Sequence, residues 1–207
     1  MLQQLSTPTP RDVVRYVEKG PYIAVVDVET DNKEARLAYI LEIAIVCLSL
    51  KTGEIGVVYD SIVRSRDFFP KDKDIWILKN SSLKLFDIYK APTLESQKIQ
   101  IQAILNQYYV TAFNAAYDFT CLERAGFRIL HKAPCIMLQA TDVCKLHSNY
   151  GYKSYKWPKV EEAWNFLFGN PYKEAHRAYD DAYHEAQILW ELIQRKIYDL
   201  SFLTRET

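Results

Sequence analysis

The segment Tyr22-Ile-Ala-Val-Val-Asp-Val-Glu-Thr30 carries two acidic residues in an otherwise apolar run. Its β-branched residues predict a strand that covers about 22–28. Because side chains alternate between the two faces of a strand, Asp27 and Glu29 share one face with Val25. Two carboxylates on one face of a buried strand repel each other and resist desolvation, a cost that a bound cation offsets. Rigid oxygen ligands favour Mg²⁺ or Mn²⁺, whereas the alternative is a strand end in solvent with both acids hydrated.

Two further strands are predicted after the first. Apolar runs at 40–50 and 55–63 flank the tight turn Lys51-Thr-Gly53, so the first three strands predict an antiparallel meander. The later predicted elements are a helix capped by Thr93, a fourth strand at 108–114, a helix at 118–125, a strand or helix start at 135–141, a helix at 159–168 and a long helix from Ala178. Strands followed by mixed strands and helices indicate an α/β protein with a central mixed sheet.

Length, charge and cysteine content limit the class of protein. At 207 residues one domain is the default, and 26 basic residues balance 26 acidic residues. A neutral chain has no overall attraction for nucleic acid, so such binding would depend on local patches and metal ions. No signal peptide or membrane-spanning run is evident, and the four scattered cysteines suggest neither disulfides nor a zinc site. We therefore expect a cytoplasmic protein without a membrane partner.

Two more polar clusters follow predicted elements. Asp118, in Phe113-Asn-Ala-Ala-Tyr-Asp118, opens a helix directly after the fourth strand, where open α/β sheets place their sites. His176 and Asp181, in His176-Arg-Ala-Tyr-Asp-Asp181, lie where a polar loop enters the last helix. Each cluster alone is also typical of an acidic helix N-terminus that complements the helix dipole, with a solvated histidine in the second case.

Taken together, the three clusters resemble the DEDD superfamily of 3′–5′ exonucleases. The pattern is Asp-x-Glu on the first strand, Asn-x-x-x-Asp at the start of a middle helix and His-x-x-x-x-Asp at the start of the last helix. A histidine five residues before the last aspartate favours the histidine-containing branch, typified by the proofreading subunit of bacterial replicative DNA polymerase. Further matches over 22–196 are Leu41-Glu-Ile-Ala44, Ala91-Pro-Thr93 and Tyr155-Lys-Trp-Pro-Lys159.

The resemblance implies a fold and an activity. The fold would be ribonuclease H-like, a mixed five-stranded sheet flanked by helices on both faces. The chain would form a single exonuclease domain over 1–207, with an N-terminal extension at 1–20 and a core at 21–197. The activity would be metal-dependent hydrolysis of phosphodiester bonds from the 3′ end of a nucleic acid, which releases nucleoside 5′-monophosphates.

The same resemblance implies roles for individual residues. Two divalent cations, Mg²⁺ or Mn²⁺, would be held by Asp27, Glu29, Asp118 and Asp181. His176 would complete this catalytic set as the general base that removes a proton from the attacking water. The spacing from His176 favours Asp181 over Asp180 as a metal ligand, and Asp180 is expected to face solvent.

The motifs identify the reaction more closely than they identify the substrate. The terminal nucleotide would be contacted by Thr30, Asn114 and Phe119. Single-stranded DNA is favoured over RNA because the closest resemblance is to proofreading-type enzymes, and a DNA polymerase partner is left open. Relatives that trim RNA 3′ ends share the same catalytic residues, so an exoribonuclease is an alternative. A nucleic-acid-binding module without turnover is a second alternative.

The segment 149–159 interleaves aromatic residues with three lysines. Tyrosine and tryptophan can stack on unpaired bases while lysine contacts phosphate, so the segment is a candidate contact for a single strand. The alternative is a solvated loop in which Trp157 packs on the sheet.

Overall fold

The computed structural model describes residues 21–68, 75–147 and 155–204. The predicted N-terminal extension at 1–20 lies outside the described residues. The elements in chain order are β1 (Tyr22–Thr30), β2 (Ile40–Ser49), β3 (Ile55–Ile62), α1 (Trp76–Asn80), α2 (Leu85–Lys90), α3 (Leu94–Gln107), β4 (Tyr109–Thr111), α4 (Ala115–Arg124), α5 (Ile136–Cys144), α6 (Val160–Phe168), α7 (Ala178–Gln194) and a short 3₁₀ helix at Ser201–Thr204. Among the described helices, none is both long and apolar enough to cross a lipid bilayer.

The strands of the described residues form one sheet in the order β3-β2-β1-β4. β1 pairs antiparallel with β2, with Val25 opposite Val46, and β2 pairs antiparallel with β3, so the predicted meander is confirmed. β4 lies parallel to β1 on its other side, with Ala24 opposite Val110. Because β1 and β4 run in the same direction, their carboxyl ends meet at the same edge of the sheet.

The predicted mixed α/β sheet is confirmed, but the described residues contain four strands where five were expected. The place of a fifth strand is taken by a single parallel bridge between Val110 and Lys132. Val110 N donates to His131 O at 2.8 Å, and Ala133 N donates to Val110 O at 2.9 Å. Pro134 follows and has no N–H to extend the ladder, and α5 begins two residues later, so the pairing ends there.

β4 is shorter than the predicted 108–114 because the backbone beyond Thr111 bonds to α5. Ile136 N donates to Ala112 O at 3.2 Å, and Met137 N donates to Phe113 O at 2.9 Å. The segment 135–141, which the sequence left open between strand and helix, forms the first turns of α5. These bonds fix the residues between β4 and α4 at the edge of the sheet where both parallel strands end.

Hydrophobic layers cover both faces of the sheet. Val26 and Val28 of β1 pack in one layer with residues of α3 and α4. Val25 belongs to the other layer, which is built with residues of α5, α6 and α7. The predicted alternation along β1 and the helices on both faces are therefore confirmed. By the same alternation, Asp27 and Glu29 continue the Val25 face toward the carboxyl end of β1.

The predicted helix after Thr93 is also confirmed. Thr93 Oγ1 accepts a hydrogen bond from Ser96 N at 3.3 Å and caps α3. Its buried residues lie at the spacing of one helix face: Leu94, Ile101, Ile104 and Leu105. Gly169, at a φ of +72°, ends α6, and α7 begins at Ala178 as expected.

Candidate active site

A cleft opens at the sheet edge where β1 and β4 end and where α4 and α7 begin. Its volume is about 420 Å³. The residues predicted as catalytic all line it: Asp27, Glu29, Asp118, His176 and Asp181. Topology brings them together, because the carboxyl ends of two parallel strands and the helix that follows β4 share this edge.

Glu29, His176 and Asp181 come from β1, the loop before α7 and the first turn of α7. One ligand atom from each lies within 4.8 Å of the others. Asp181 is buried, and its Oδ1 accepts a hydrogen bond from Tyr172 OH while its Oδ2 accepts one from Arg177 N, both at 3.1 Å. His176 has a left-handed backbone with a φ of 52°, which turns the chain just before α7. The acid is thus oriented by the protein, and the imidazole is placed outside the regular helix.

Asp118 reaches the cleft from the first turn of α4. It is buried, and its Oδ1 accepts a hydrogen bond from Val28 N at 3.3 Å. Val28 lies between Asp27 and Glu29 in β1, so this bond fixes α4 beside the pair of acids on the strand. Asp118 therefore does more than complement the dipole of its own helix.

Burial raises the pKa of the acids in this cleft. The pKa of Asp27 lies well above its usual range because of burial and of the nearby Glu185 and Glu29. Burial and the nearby Asp181 raise the pKa of Glu29 to about 9. Burial raises the pKa of Asp118 to about 7, although hydrogen bonds from backbone N–H groups oppose the shift. Without a cation, these carboxyl groups resist being ionised together.

The donor set fits hard divalent cations. Asp27 Oδ2 is buried and has no hydrogen-bond partner within the described residues. A carboxylate oxygen in that state lacks the solvation that water or a cation would supply. Carboxylate oxygens are the ligands that Mg²⁺ and Mn²⁺ favour in proteins. The residues present therefore fit the divalent-cation site that the motifs implied.

Two further acids line the cleft and were missed by the sequence analysis. Glu185 is buried, its Oε2 accepts a hydrogen bond from Phe113 N at 3.2 Å, and burial raises its pKa well above the usual range. Glu174 lies in the loop before α7, and burial together with the nearby Asp181 raises its pKa to about 7. Glu185 could have been found from helical spacing, because it lies one turn after Asp181 on α7. No motif marks Glu174.

An ion pair between the buried Glu42 and the partly exposed Arg177 fixes the amino end of α7 on the sheet. Glu42 on β2 is 2% exposed and accepts hydrogen bonds from Arg177 Nε at 2.9 Å and Arg177 Nη2 at 2.6 Å. Ala178 N also donates to Glu42 Oε2 at 3.2 Å. Because Glu42 lies opposite Glu29 in the register of β1 and β2, one carboxylate sets where α7 begins relative to the acids of β1.

The residues predicted to contact substrate lie in different environments. Asn114 is exposed and lines the cleft. Thr30 Oγ1 is hydrogen-bonded to Tyr117 OH and donates to Asn32 O at 3.0 Å, so its hydroxyl is engaged within the protein. Phe119 is 8% exposed and belongs to the hydrophobic layer of α3 and α4, so its ring lies in the core and not on the cleft wall. Asn114 is therefore the candidate that the geometry favours.

The structure also bears on Asp180 and on the 149–159 segment. The Asp180 side chain is 44% exposed and lies outside the set that lines the cleft, as the sequence predicted. It is still connected to the site, because its Oδ2 lies 3.2 Å from Tyr172 OH, the hydroxyl that also contacts Asp181. Trp157 lines the cleft and is 65% exposed, so its ring is not buried against the sheet. Residues 149–154 of the segment lie outside the described residues.

The chain matches no protein-family model, and no curated protein matches its sequence. Solved nuclease structures share its fold. Cell-death related nuclease 4 (CRN-4) has a TM-score of 0.64 at 15% identity over 85% of this chain and 64% of that one. The nuclease domain of 3′hExo, described as a DEDDh family member and bound to rAMP, has a TM-score of 0.59 at 16% identity over 86% of this chain and 94% of that one. E. coli exonuclease I, in complex with a dT13 oligonucleotide, has a TM-score of 0.60 at 12% identity over 85% of this chain and 42% of that one.

These similarities establish the fold. The chain spans less than two thirds of the length of CRN-4 and less than half of exonuclease I, but nearly all of the 3′hExo nuclease domain. The protein therefore has the ribonuclease H-like α/β fold of the DEDDh 3′-exonucleases, as the sequence predicted. At such low identities the activity has to be argued from the cleft itself.

Divalent cations should stabilise the protein more at high pH than at low pH. Acids whose pKa is raised on folding bind protons more tightly in the folded state, so metal-free stability falls as the pH rises from about 4 toward the raised values. Those values are about 7 for Asp118 and about 9 for Glu29. A cation that binds the ionised acids offsets this loss. At 100 times its Kd it adds about 2.7 kcal/mol, or about 5–10 °C in melting temperature.

Thermal unfolding at about pH 5 and about pH 8, with and without millimolar Mn²⁺, measures this effect. KCl of equal ionic strength is the control for screening of surface charges. A melting temperature that Mn²⁺ leaves unchanged at both pH values would contradict the assignment of these acids, as would metal-free stability that rises over the interval.

Proposed function

We propose that this protein is a metal-dependent 3′–5′ exonuclease, which hydrolyses phosphodiester bonds at the 3′ end of a nucleic acid and releases nucleoside 5′-monophosphates. The observation that carries the proposal is the convergence of four motif carboxyl groups and one imidazole on a single cleft of this fold. A binding module without turnover has no need of so many buried acids, each of which destabilises the folded protein when it is ionised without a partner. An enzyme is therefore favoured over a nucleic-acid-binding module without turnover.

The acids would hold the metal ions. Two divalent cations, Mg²⁺ or Mn²⁺, would be bound by Asp27, Glu29, Asp118 and Asp181. When bound, such cations activate water as a nucleophile and stabilise the leaving oxygen of a phosphodiester. The hydrogen bonds from Val28 N to Asp118 and from Arg177 N to Asp181 orient two of the ligands in advance. Less reorganisation is then required when a cation binds.

His176 would accept the proton of the attacking water. Its ligand atom lies within 4.8 Å of those of Glu29 and Asp181, next to the acids that would hold the cations. Because its backbone is left-handed and precedes α7, the side chain is not constrained to the outer surface of the helix. An imidazole in this position can act as a general base near neutral pH.

Single-stranded DNA is the proposed substrate, because the sequence motifs resemble those of proofreading-type exonucleases. Structures with this fold are described with both kinds of nucleotide, dT13 in E. coli exonuclease I and rAMP in the 3′hExo nuclease domain. RNA is therefore the alternative substrate, in an exoribonuclease that trims 3′ ends. A DNA polymerase partner and a cytoplasmic location remain predictions from the sequence.

The direct test is hydrolysis of 5′-labelled single-stranded DNA, duplex DNA and RNA in parallel. Mn²⁺ or Mg²⁺ should support stepwise shortening from the 3′ end, nucleoside 5′-monophosphates should be released, and EDTA should abolish the reaction. Asp27→Asn should abolish the reaction as well, because it removes a metal ligand. It should spare the fold, because the position disfavours a charged side chain.

Asp142→Asn is the matched control for Asp27→Asn. It makes the same chemical change on an exposed side chain of α5 outside the cleft, so its activity should equal that of the wild type. A wild-type chain that is inactive with both metals on every polymer would refute the proposed exonuclease activity. Full activity of Asp27→Asn would refute the assignment of Asp27 as a metal ligand. Faster hydrolysis of RNA than of DNA would show that RNA is the preferred substrate.

His176→Ala should lower kcat by at least about 10²-fold, because the attacking water loses its proton acceptor. Binding of Mn²⁺, followed by its effect on the melting temperature, should persist in this variant, because the four acids are intact. His147→Ala is the control, since His147 is an exposed histidine outside the cleft lining. A normal kcat in His176→Ala would reject the role as general base.

A further inference from the structure

Trp76, the first residue of α1, lies beside the proposed general base. The centroid of its ring is 4.8 Å from that of the His176 imidazole at an interplanar angle of 75°, an edge-to-face contact. Trp76 is nevertheless 44% exposed, although tryptophan is highly buried on average. A large aromatic surface therefore meets solvent next to a residue that lines the cleft.

The neighbours of Trp76 hold α1 in place. Ile77 is 2% exposed and packs in a hydrophobic cluster with Leu83. Ser82, just after α1, accepts a hydrogen bond from Arg177 Nη1 at 2.7 Å, which links this segment to the start of α7. The same arginine binds Glu42, so the support of the Trp76 ring is continuous with the ion pair that orders the site. The ring is thus presented on a fixed support and is not needed to close the core.

A lysine lies beside the Trp76 ring, and a second tryptophan lines the cleft. Lys33, in the loop after β1, places its Nζ over the Trp76 ring, 5.8 Å from the centroid. Trp157 is 65% exposed and lines the cleft together with His176. Proteins bind single strands by stacking unpaired bases on aromatic rings while basic side chains attract the phosphates. The acids inside the cleft offer no aromatic surface on which a nucleotide base could stack, whereas the two tryptophans do.

We propose that Trp76 stacks on an unpaired base at the 3′ end of the substrate, with Lys33 beside the adjoining phosphate. This inference rests on the proposed exonuclease function and names what that function selects. A base that is paired in a duplex has to give up its pairing before it can stack on Trp76, so the cleft selects single strands. The stacking of one base on an aromatic ring corresponds to roughly a 5- to 150-fold change in affinity.

A thermodynamic cycle tests this proposal on the full chain in Mn²⁺. The wild type and Trp76→Ala are compared on a single-stranded oligonucleotide and on the same strand ending in an abasic nucleotide. Removal of the indole or of the terminal base should lower kcat/KM by roughly 5- to 150-fold, mainly through KM. Removal of both the indole and the terminal base should lower kcat/KM no further than removal of either one, because the indole and the base contact each other.

Two further variants complete the experiment. Trp76→Phe keeps an aromatic face and should retain most of the activity. Phe166→Ala removes an aromatic ring of similar exposure, 47%, from α6, and this matched control should behave as the wild type. If Trp76→Ala does not fold, Trp76→Phe and Trp76→Leu make the same comparison between an aromatic and an aliphatic side chain of substantial size.

The outcomes separate the inference from the function on which it rests. Equal losses on the normal and the abasic strand, with a fall in kcat and a shifted pH profile, would show that Trp76 only positions His176 and would overturn the proposal. Unchanged kinetics in Trp76→Ala would overturn it as well. A wild type that hydrolyses neither strand would instead refute the exonuclease function itself.

Discussion

Carboxyl groups from β1, α4 and α7 are held within one cleft, and their mutual repulsion is the constraint on which the rest of the site depends. Each group is largely removed from water, and the charge of one raises the pKa of the next. The protein supplies part of the compensation through backbone N–H groups, which donate to Asp118 and Asp181. Asp27 Oδ2 receives none within the described residues. In the function that we propose, divalent cations would compensate the remaining charge and would supply the chemistry of phosphodiester hydrolysis.

The ion pair of Glu42 with Arg177 positions α7 beside these carboxyl groups. A single carboxylate on β2 binds the arginine and the first N–H of α7, directly across from Glu29. The start of α7 is therefore positioned from the sheet. Since Arg177 also reaches Ser82 near α1, one side chain connects the acids, the histidine and the exposed rim where we place a nucleotide base. The proposed chemistry and the proposed selection of substrate would thus share one structural support.

The sequence predicted features that depend on local spacing and failed on those that depend on distant partners. Alternation along β1 placed Asp27 and Glu29 on one face, because the side chains of a strand have a period of two. The spacing of the family motif, counted from His176, separated Asp181 from Asp180. The partner of Glu42 is 135 residues away and that of Glu185 is 72 residues away, so no local pattern marks either pair. The early end of β4 has the same origin, since its backbone beyond Thr111 bonds to α5. Phe119 was predicted to contact the terminal nucleotide, whereas its ring packs in the hydrophobic layer of α3 and α4.

The number of divalent cations that the cleft binds tests the central claim most directly. Calorimetric titration of Mn²⁺ at about pH 8, in the presence of a nucleoside 5′-monophosphate, should find two Mn²⁺ per chain and a release of protons from the acids. Asp181→Asn should reduce that number, and Asp142→Asn, at an exposed position outside the cleft, should leave it at two. A wild-type chain that binds no Mn²⁺ at millimolar concentration, or that binds it equally after Asp181→Asn, would contradict the account.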